Sequence, residues 1–83
     1  MLDTLIIGAG GHGKVVCDIL RAGSTHRPIA FLDADPKLAG QIVAGLPVVG
    51  SIHRLPHLAR QNRGVTVIVA IGNNRVRVEY ART

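Results

Sequence analysis

Aromatic residues are almost absent from these 83 residues: there is no tryptophan, and Phe31 and Tyr80 stand alone. That scarcity excludes an aromatic-rich core and removes the flat platforms on which single-stranded nucleic acids stack. Cysteine is equally scarce. Cys17 is the only one, so no disulfide can form within the chain, and a reducing, cytoplasmic setting is expected. No apolar stretch approaches the roughly 20 residues of a membrane span. The short apolar start at Leu5–Ile7 runs into glycines with no basic segment before it, so a secretory signal is not expected either. Acidic residues are few in the second half. Residues 1–42 carry four basic and four acidic side chains, whereas residues 43–83 carry six arginines against Glu79, which accounts for the whole formal charge of +5. A basic half can meet nucleic acid, solvent or an acidic partner surface. Without aromatics or a Lys/Arg run, nucleic acid is the least favoured of these.

What is present is aliphatic. Hydrophobic residues make up 47% of the chain, so the core must come from Val, Ile, Leu and Ala. Such runs suit a parallel sheet covered by helices on both faces. One domain over residues 1–83 is expected. A chain this short buries only about 60–65% of its unfolded surface, so its stability should be modest.

Read along the chain, Thr4–Gly8 is a first buried strand. From Gly11 to about Ala22, Val15, Val16, Ile19 and Leu20 recur at helical spacing, and Gly23 stops the pattern. Pro28–Asp33 is a second strand, closed by the turn signal Asp33-Ala34-Asp35-Pro36. Lys37–Leu46 has no clear period and reads as loop. Pro47–Gly50 is a short strand, and Ser51 is a candidate N-cap for a helix over Ile52–Arg63, which Pro56 would kink or delay. Val65–Ile71 is a strong strand, followed by the turn Gly72-Asn73-Asn74. Arg75–Tyr80 alternates like a strand, yet Val76 and Tyr80 would also share one helical face. The alternation implies an α/β fold: a small Rossmann-like domain with a mainly parallel sheet of about four strands and flanking helices.

In such sheets ligands bind beyond the carboxyl ends of the strands. Here those ends are Gly8–Gly13, Asp33–Asp35, Gly50–Ser51 and Gly72–Asn74, all rich in Gly, Asp, Ser or Asn. Gly8-Ala9-Gly10-Gly11-His12-Gly13 satisfies G-x-G-x-x-G between a strand and a helix. Gly8 would allow the tight turn, Gly10 the approach of a phosphate, and Gly13 close helix–strand packing. The helix N-terminus adds free N–H groups and a dipole that favours an anion. A tight turn without ligand is the alternative. Asp33 occupies the position where dinucleotide enzymes hold ribose hydroxyls, with Asp35 beside it; turn and capping chemistry is the alternative for both. His12 could bond a phosphate or sugar hydroxyl as a neutral donor, or serve the fold alone. Lys14 could neutralise a phosphate or be exposed. Asn73 and Asn74 could bond a sugar or base, or only turn the chain. His26, His53 and His57 lack metal-ligand spacing and read as surface residues, and Cys17 lies on the apolar stripe as a core residue. No catalytic constellation is complete, and no metal site is expected.

LIIGAGGHGKVVCDIL, IAFLDADPKLAG, GLPVVGS and VIVAIGNN together resemble the N-terminal domain of the sugar O-acyltransferase family, which includes PglD- and NeuD-type enzymes. The resemblance spans about residues 3–75. It implies a nucleotide-sugar-binding domain in an enzyme that acetylates an amino-sugar nucleotide or sialic acid. In that family a left-handed β-helix of hexapeptide repeats follows, trimerises, binds acetyl-CoA and supplies the catalytic histidine. By matching motif, Gly10, Gly11, His12 and Gly13 would line the phosphates and sugar. Asp33 and Asp35 would meet the nucleoside, and Gly72 and Asn73 would close the sugar side. The β-helix has no counterpart here, and His12 does not take over its histidine. The chain is therefore expected to be a portion of an acyltransferase or a stand-alone binding unit, with no cofactor of its own. The unbalanced arginines would partly meet the second domain. An NAD-binding oxidoreductase fragment remains the alternative, although the glycine-rich stretch after Asp33 does not suit a dinucleotide fold.

Overall fold

The aliphatic runs pair as strands because each is buried on both faces. The computed structural model describes residues 1–70, together with the backbone of residue 71 and of 75–80. Strands β1 (Leu2–Ile7), β2 (His26–Leu32) and β5 (Thr66–Ile71) lie parallel, with β1 in the centre. Helix α1 (Gly11–Ala22) connects β1 to β2. A 3-10 turn (Ile52–Arg54) and helix α2 (Leu55–Gln61) precede β5. The small α/β, Rossmann-like architecture expected from the sequence is thus present.

Adjacent residues of β1 serve opposite faces, as the two-residue period of a strand requires. Ile6 packs with Phe31, Ile68, Val16 and Cys17 beneath α1, whereas Leu5 packs with Ala30, Val65 and Ala59 beneath α2. Cys17 is fully buried, and this burial pushes its thiol above the usual range; nearby Arg21 opposes the shift and Asp18 adds to it. It is a core residue, as its place on the stripe indicates.

Pro28 sits inside β2 and cannot donate to a ladder. The strand accommodates it with a register shift: Thr4 pairs with Pro28 and Leu5 with Ala30, leaving Ile29 as the extra residue.

Three segments depart from the sequence reading. Pro47–Gly50 does not form a strand of the main sheet; it makes a single parallel bridge, Phe31 to Val48. The fourth strand of the sheet is instead β6 (Arg75–Tyr80), antiparallel to β5. This settles the ambiguous segment as a strand, because the unpaired edge of β5 offers it a ladder that an isolated helix would lack. Pro56 delays the expected Ile52–Arg63 helix, so that Ser51 caps the 3-10 turn through His53 N–H at 3.4 Å and α2 proper begins at Leu55. Lys37–Leu46 is not all loop, since β3 (Ile42–Val43) and β4 (Leu46–Pro47) form a small antiparallel hairpin. Val43, Ala44 and Leu46 lay it against the α1 cluster.

The hairpin turns through Ala44 (φ 49°) and Gly45 (φ 81°). Ala44 is the only described non-glycine residue with positive φ. Two successive positive φ values match the tight turn that hairpins favour, which selects Asn or Gly rather than Ala. The left-handed region costs an L-residue about 1–2 kcal/mol. Ala44→Gly is therefore expected to raise the stability by up to about 1 kcal/mol, part of the gain being lost to backbone entropy. Urea unfolding of the two proteins checks this; a less stable variant would mean that the Ala44 methyl contact with the core outweighs the strain.

Candidate functional site

The carboxyl ends of β1 and β2 and the segment Val48–Gly50 meet at one edge of the sheet. Gly8 N–H donates to Leu32 C=O at 2.7 Å, and Asp33 N–H donates to Gly50 C=O at 2.8 Å. Three of the four strand-end segments singled out from the sequence are therefore in direct contact. The fourth, with Gly72, Asn73 and Asn74, lies outside the described residues.

The glycines of the first turn divide into two kinds. Gly8 has φ +108°, and a Cβ there would stand 2.5 Å from the Ala70 carbonyl oxygen. A Cβ on Gly13 would collide with the Gly8 carbonyl and reach within 3.3 Å of the Phe31 ring. Those two glycines are required by the turn and by the contact of α1 with the sheet. Gly10 and Gly11 are different. Neither has a conformation that demands glycine, and a Cβ on either would meet nothing within 4 Å. The fold leaves both exposed and open.

Gly10 and Gly11 open α1. Gly10 is the N-cap, provides no side-chain cap, and is followed by no acidic residue in the first turn. The first bond of the helix runs from Lys14 N–H to Gly10 C=O. The preceding N–H groups of Gly11, His12 and Gly13 have no partner within the helix. A helix start whose cap and first turn carry no carboxylate or hydroxyl, facing open space, can accept an anion.

Asp33 is half-buried and uses both oxygens. Oδ2 accepts Ala9 N–H at 2.8 Å and Oδ1 accepts Asp35 N–H at 2.9 Å. Asp35 is exposed, and its Oδ1 accepts Lys37 N–H at 2.9 Å, an Asx turn that also prepares the bond from Leu38 N–H to the Asp35 carbonyl. The turn chemistry raised as an alternative for this pair is therefore present. His12 is half-buried; its Nε2 is shielded from solvent and has no hydrogen-bond partner among the described residues. Lys14 is exposed. No group of His, Cys, Asp and Glu suited to a metal ion occurs among the described residues. No described helix is long and apolar enough to cross a membrane.

Gly50, expected at this edge from the sequence, carries a contact with Arg54 that the sequence did not show. Gly50 has φ +126°, and a Cβ there would stand 3.0 Å from the Arg54 Cγ, so the arginine stem lies over its backbone. The glycine after an apolar pair was a visible signal; that Arg54 folds back over it was not.

Comparison with known proteins agrees with this layout. The family model of the PglD N-terminal domain matches residues 3–83. UDP-N-acetylbacillosamine N-acetyltransferase of Bacillus subtilis (strain 168) is 33% identical over 84 residues, covering 98% of this chain and 37% of that protein. Among solved structures, the acetyltransferase domain of PglB from Neisseria gonorrhoeae FA1090 is similar with a TM-score of 0.64 at 36% identity, covering 90% of this chain and 35% of that one. UDP-D-quinovosamine 4-dehydrogenase from Vibrio fischeri gives a TM-score of 0.69 over 96% of this chain and 93% of its own, at 19% identity, and shares the fold alone. The chain spans little more than a third of the length of the acetyltransferases that it matches.

Proposed function

The chain belongs to the PglD N-terminal domain family, the N-terminal domain of sugar acetyltransferases, and from that premise we propose that it binds a nucleotide-sugar and positions the sugar for acetyl transfer. Residues 1–83 act as one domain. The phosphates lie at the start of α1, among Gly10, Gly11, His12 and Gly13. The nucleoside meets the Asp33–Asp35 turn, and Gly72 and Asn73 close the sugar side. Acetyl-CoA is held by a further domain, through which the whole enzyme trimerises in the cytoplasm. Binding energy from the nucleotide then holds the acceptor amine or hydroxyl near the thioester.

One observation carries this reading. Gly11 has no packing or conformational reason to be glycine, and Gly10 has none beyond its place as N-cap, which Ser, Asp or Asn would fill as well; yet both sit where a helix presents uncapped N–H groups. A phosphate approaching the backbone supplies the missing reason. His12 Nε2, shielded and unpartnered among the described residues, is suited to an oxygen of the same ligand.

Thermal-shift and calorimetric titration of the purified chain with UDP, UDP-N-acetylglucosamine, CMP-sialic acid, NAD and acetyl-CoA tests the proposal. A nucleotide or nucleotide-sugar is expected to stabilise the protein, by about 2.7 kcal/mol at 100 times its Kd, with no shift from acetyl-CoA. A response to NAD alone would replace this reading with the oxidoreductase one, and no response to any ligand would remove it.

A further inference from the structure

Asp33 makes more connections at the carboxyl edge than any other side chain described there. Its carboxylate holds the glycine turn through Ala9 N–H and its own turn through Asp35 N–H. Its backbone N–H fastens the Gly50 segment. Ala9 is 3% exposed and Asp33 half-buried, so the bond between them is partly shielded from water. Hydrogen bonds to an ionised acceptor are about twice as strong as neutral ones. One residue thus ties three segments together, two through its carboxylate and one through its backbone N–H.

We propose that Asp33 is a positioning residue, which holds Ala9 and so sets the backbone N–H groups of Gly11, His12 and Gly13 for the phosphate, and does not itself bond the ribose. The proposal rests on the nucleotide-binding reading above and redistributes the work of the two acids. Both Asp33 oxygens point at backbone donors of the loops. Asp35 uses only Oδ1 in a backbone bond among the described residues and is exposed, so its Oδ2 is the carboxylate oxygen available to a ribose hydroxyl. The position that a dinucleotide fold gives to its ribose acid is here turned to holding the phosphate turn in place.

The test combines Asp33→Asn with UDP and 2′,3′-dideoxy-UDP, which lacks both ribose hydroxyls. Asparagine keeps one acceptor and presents an N–H₂ to the other backbone donor, so one of the two loop bonds is lost. Affinity for both nucleotides is expected to fall by the same factor, about tenfold for one charge-assisted bond. If Asp33 bonded the ribose, the variant would instead lose the discrimination between the two nucleotides, and the proposal would fail. An unchanged Kd accompanied only by a lower Tm would also overturn it, since a merely structural residue moves stability alone. A ligand-free measurement separates this proposal from the functional reading. In Asp33→Asn, the Ala9 and Asp35 amides are expected to exchange hydrogen at least tenfold faster in total than the Ile6 and Ile68 amides accelerate. Equal acceleration throughout would overturn the positioning role whether or not the wild-type protein binds UDP. A wild-type protein that ignores UDP while the amides behave as expected would remove the functional reading only.

Discussion

Gly13→Ala is expected to destabilise the protein by about 3 kcal/mol or more, although helix propensity alone forecasts the opposite. Alanine is worth about 1 kcal/mol more than glycine inside a helix, and Gly13 lies in the first turn of α1. The added methyl, however, would fall on the Gly8 carbonyl oxygen and crowd Phe31. Neither neighbour can yield easily. Gly8 is held at positive φ against the Ala70 carbonyl, and Phe31 is fully buried. Over-packing a tight interior typically costs about 1–3 kcal/mol when side chains can shift, and here backbone must move. Against the stability of about 5 kcal/mol usual at the lower end for small domains, such a loss leaves about 2 kcal/mol, so that the variant unfolds at much lower urea and temperature. Urea unfolding followed by circular dichroism measures the difference. A variant as stable as the parent would mean that α1 slides away from β1 without cost, and the assignment of Gly13 to packing would fall.

Gly10→Val should behave in the reverse manner, keeping the fold and losing the ligand. A Cβ at Gly10 would meet nothing within 4 Å, and φ −79° with ψ −164° is extended backbone open to any residue. The cost to the fold is the poorer N-cap, about 1 kcal/mol. In the bound state the isopropyl group would occupy the space through which a phosphate reaches the N–H groups of α1. Loss of one charge-assisted hydrogen bond, about 1.5–3 kcal/mol, lowers affinity by about tenfold to about 150-fold. Calorimetry with UDP-N-acetylglucosamine reads the change. Undiminished binding would place the phosphates elsewhere on the edge. Gly11→Ala makes a companion: it should leave stability unchanged or slightly higher while weakening the same binding, a combination that no packing defect produces.

The two variants separate roles that the G-x-G-x-x-G pattern shows only as identical letters. The pattern itself was plain in the sequence because its strand, turn and helix are contiguous, and local periodicity suffices to place them. The same holds for the aliphatic runs that became β1, β2 and β5 and for the turn at Asp33–Asp35, whereas the stripe read on α1 held only in part: Val16 and Cys17 are buried, but Val15 and Ile19 are exposed because the helix turns them away from the sheet. The hairpin of β3 and β4 was not legible, since two-residue strands show no period and Ala44-Gly45 lacks the Asn-Gly signature of such turns. Nor could Pro47–Gly50 be seen to form only one bridge. Its pairing depends on how far β2 extends beside it, and that is not a property of those four residues.

Residue order alone thus determined β1, α1, β2 and β5, the parallel core of the sheet and the candidate edge, because backbone propensity and hydrophobic period act over a few neighbouring residues. Tertiary structure decided which glycines serve the fold and which stand open, for the atoms that meet a missing Cβ come from Phe31 and Ala70, far along the chain. It also decided the direction of the Asp33 carboxylate. The Ala9 N–H that it accepts lies 24 residues away, and only the pairing of β1 with β2 brings the two within 2.8 Å.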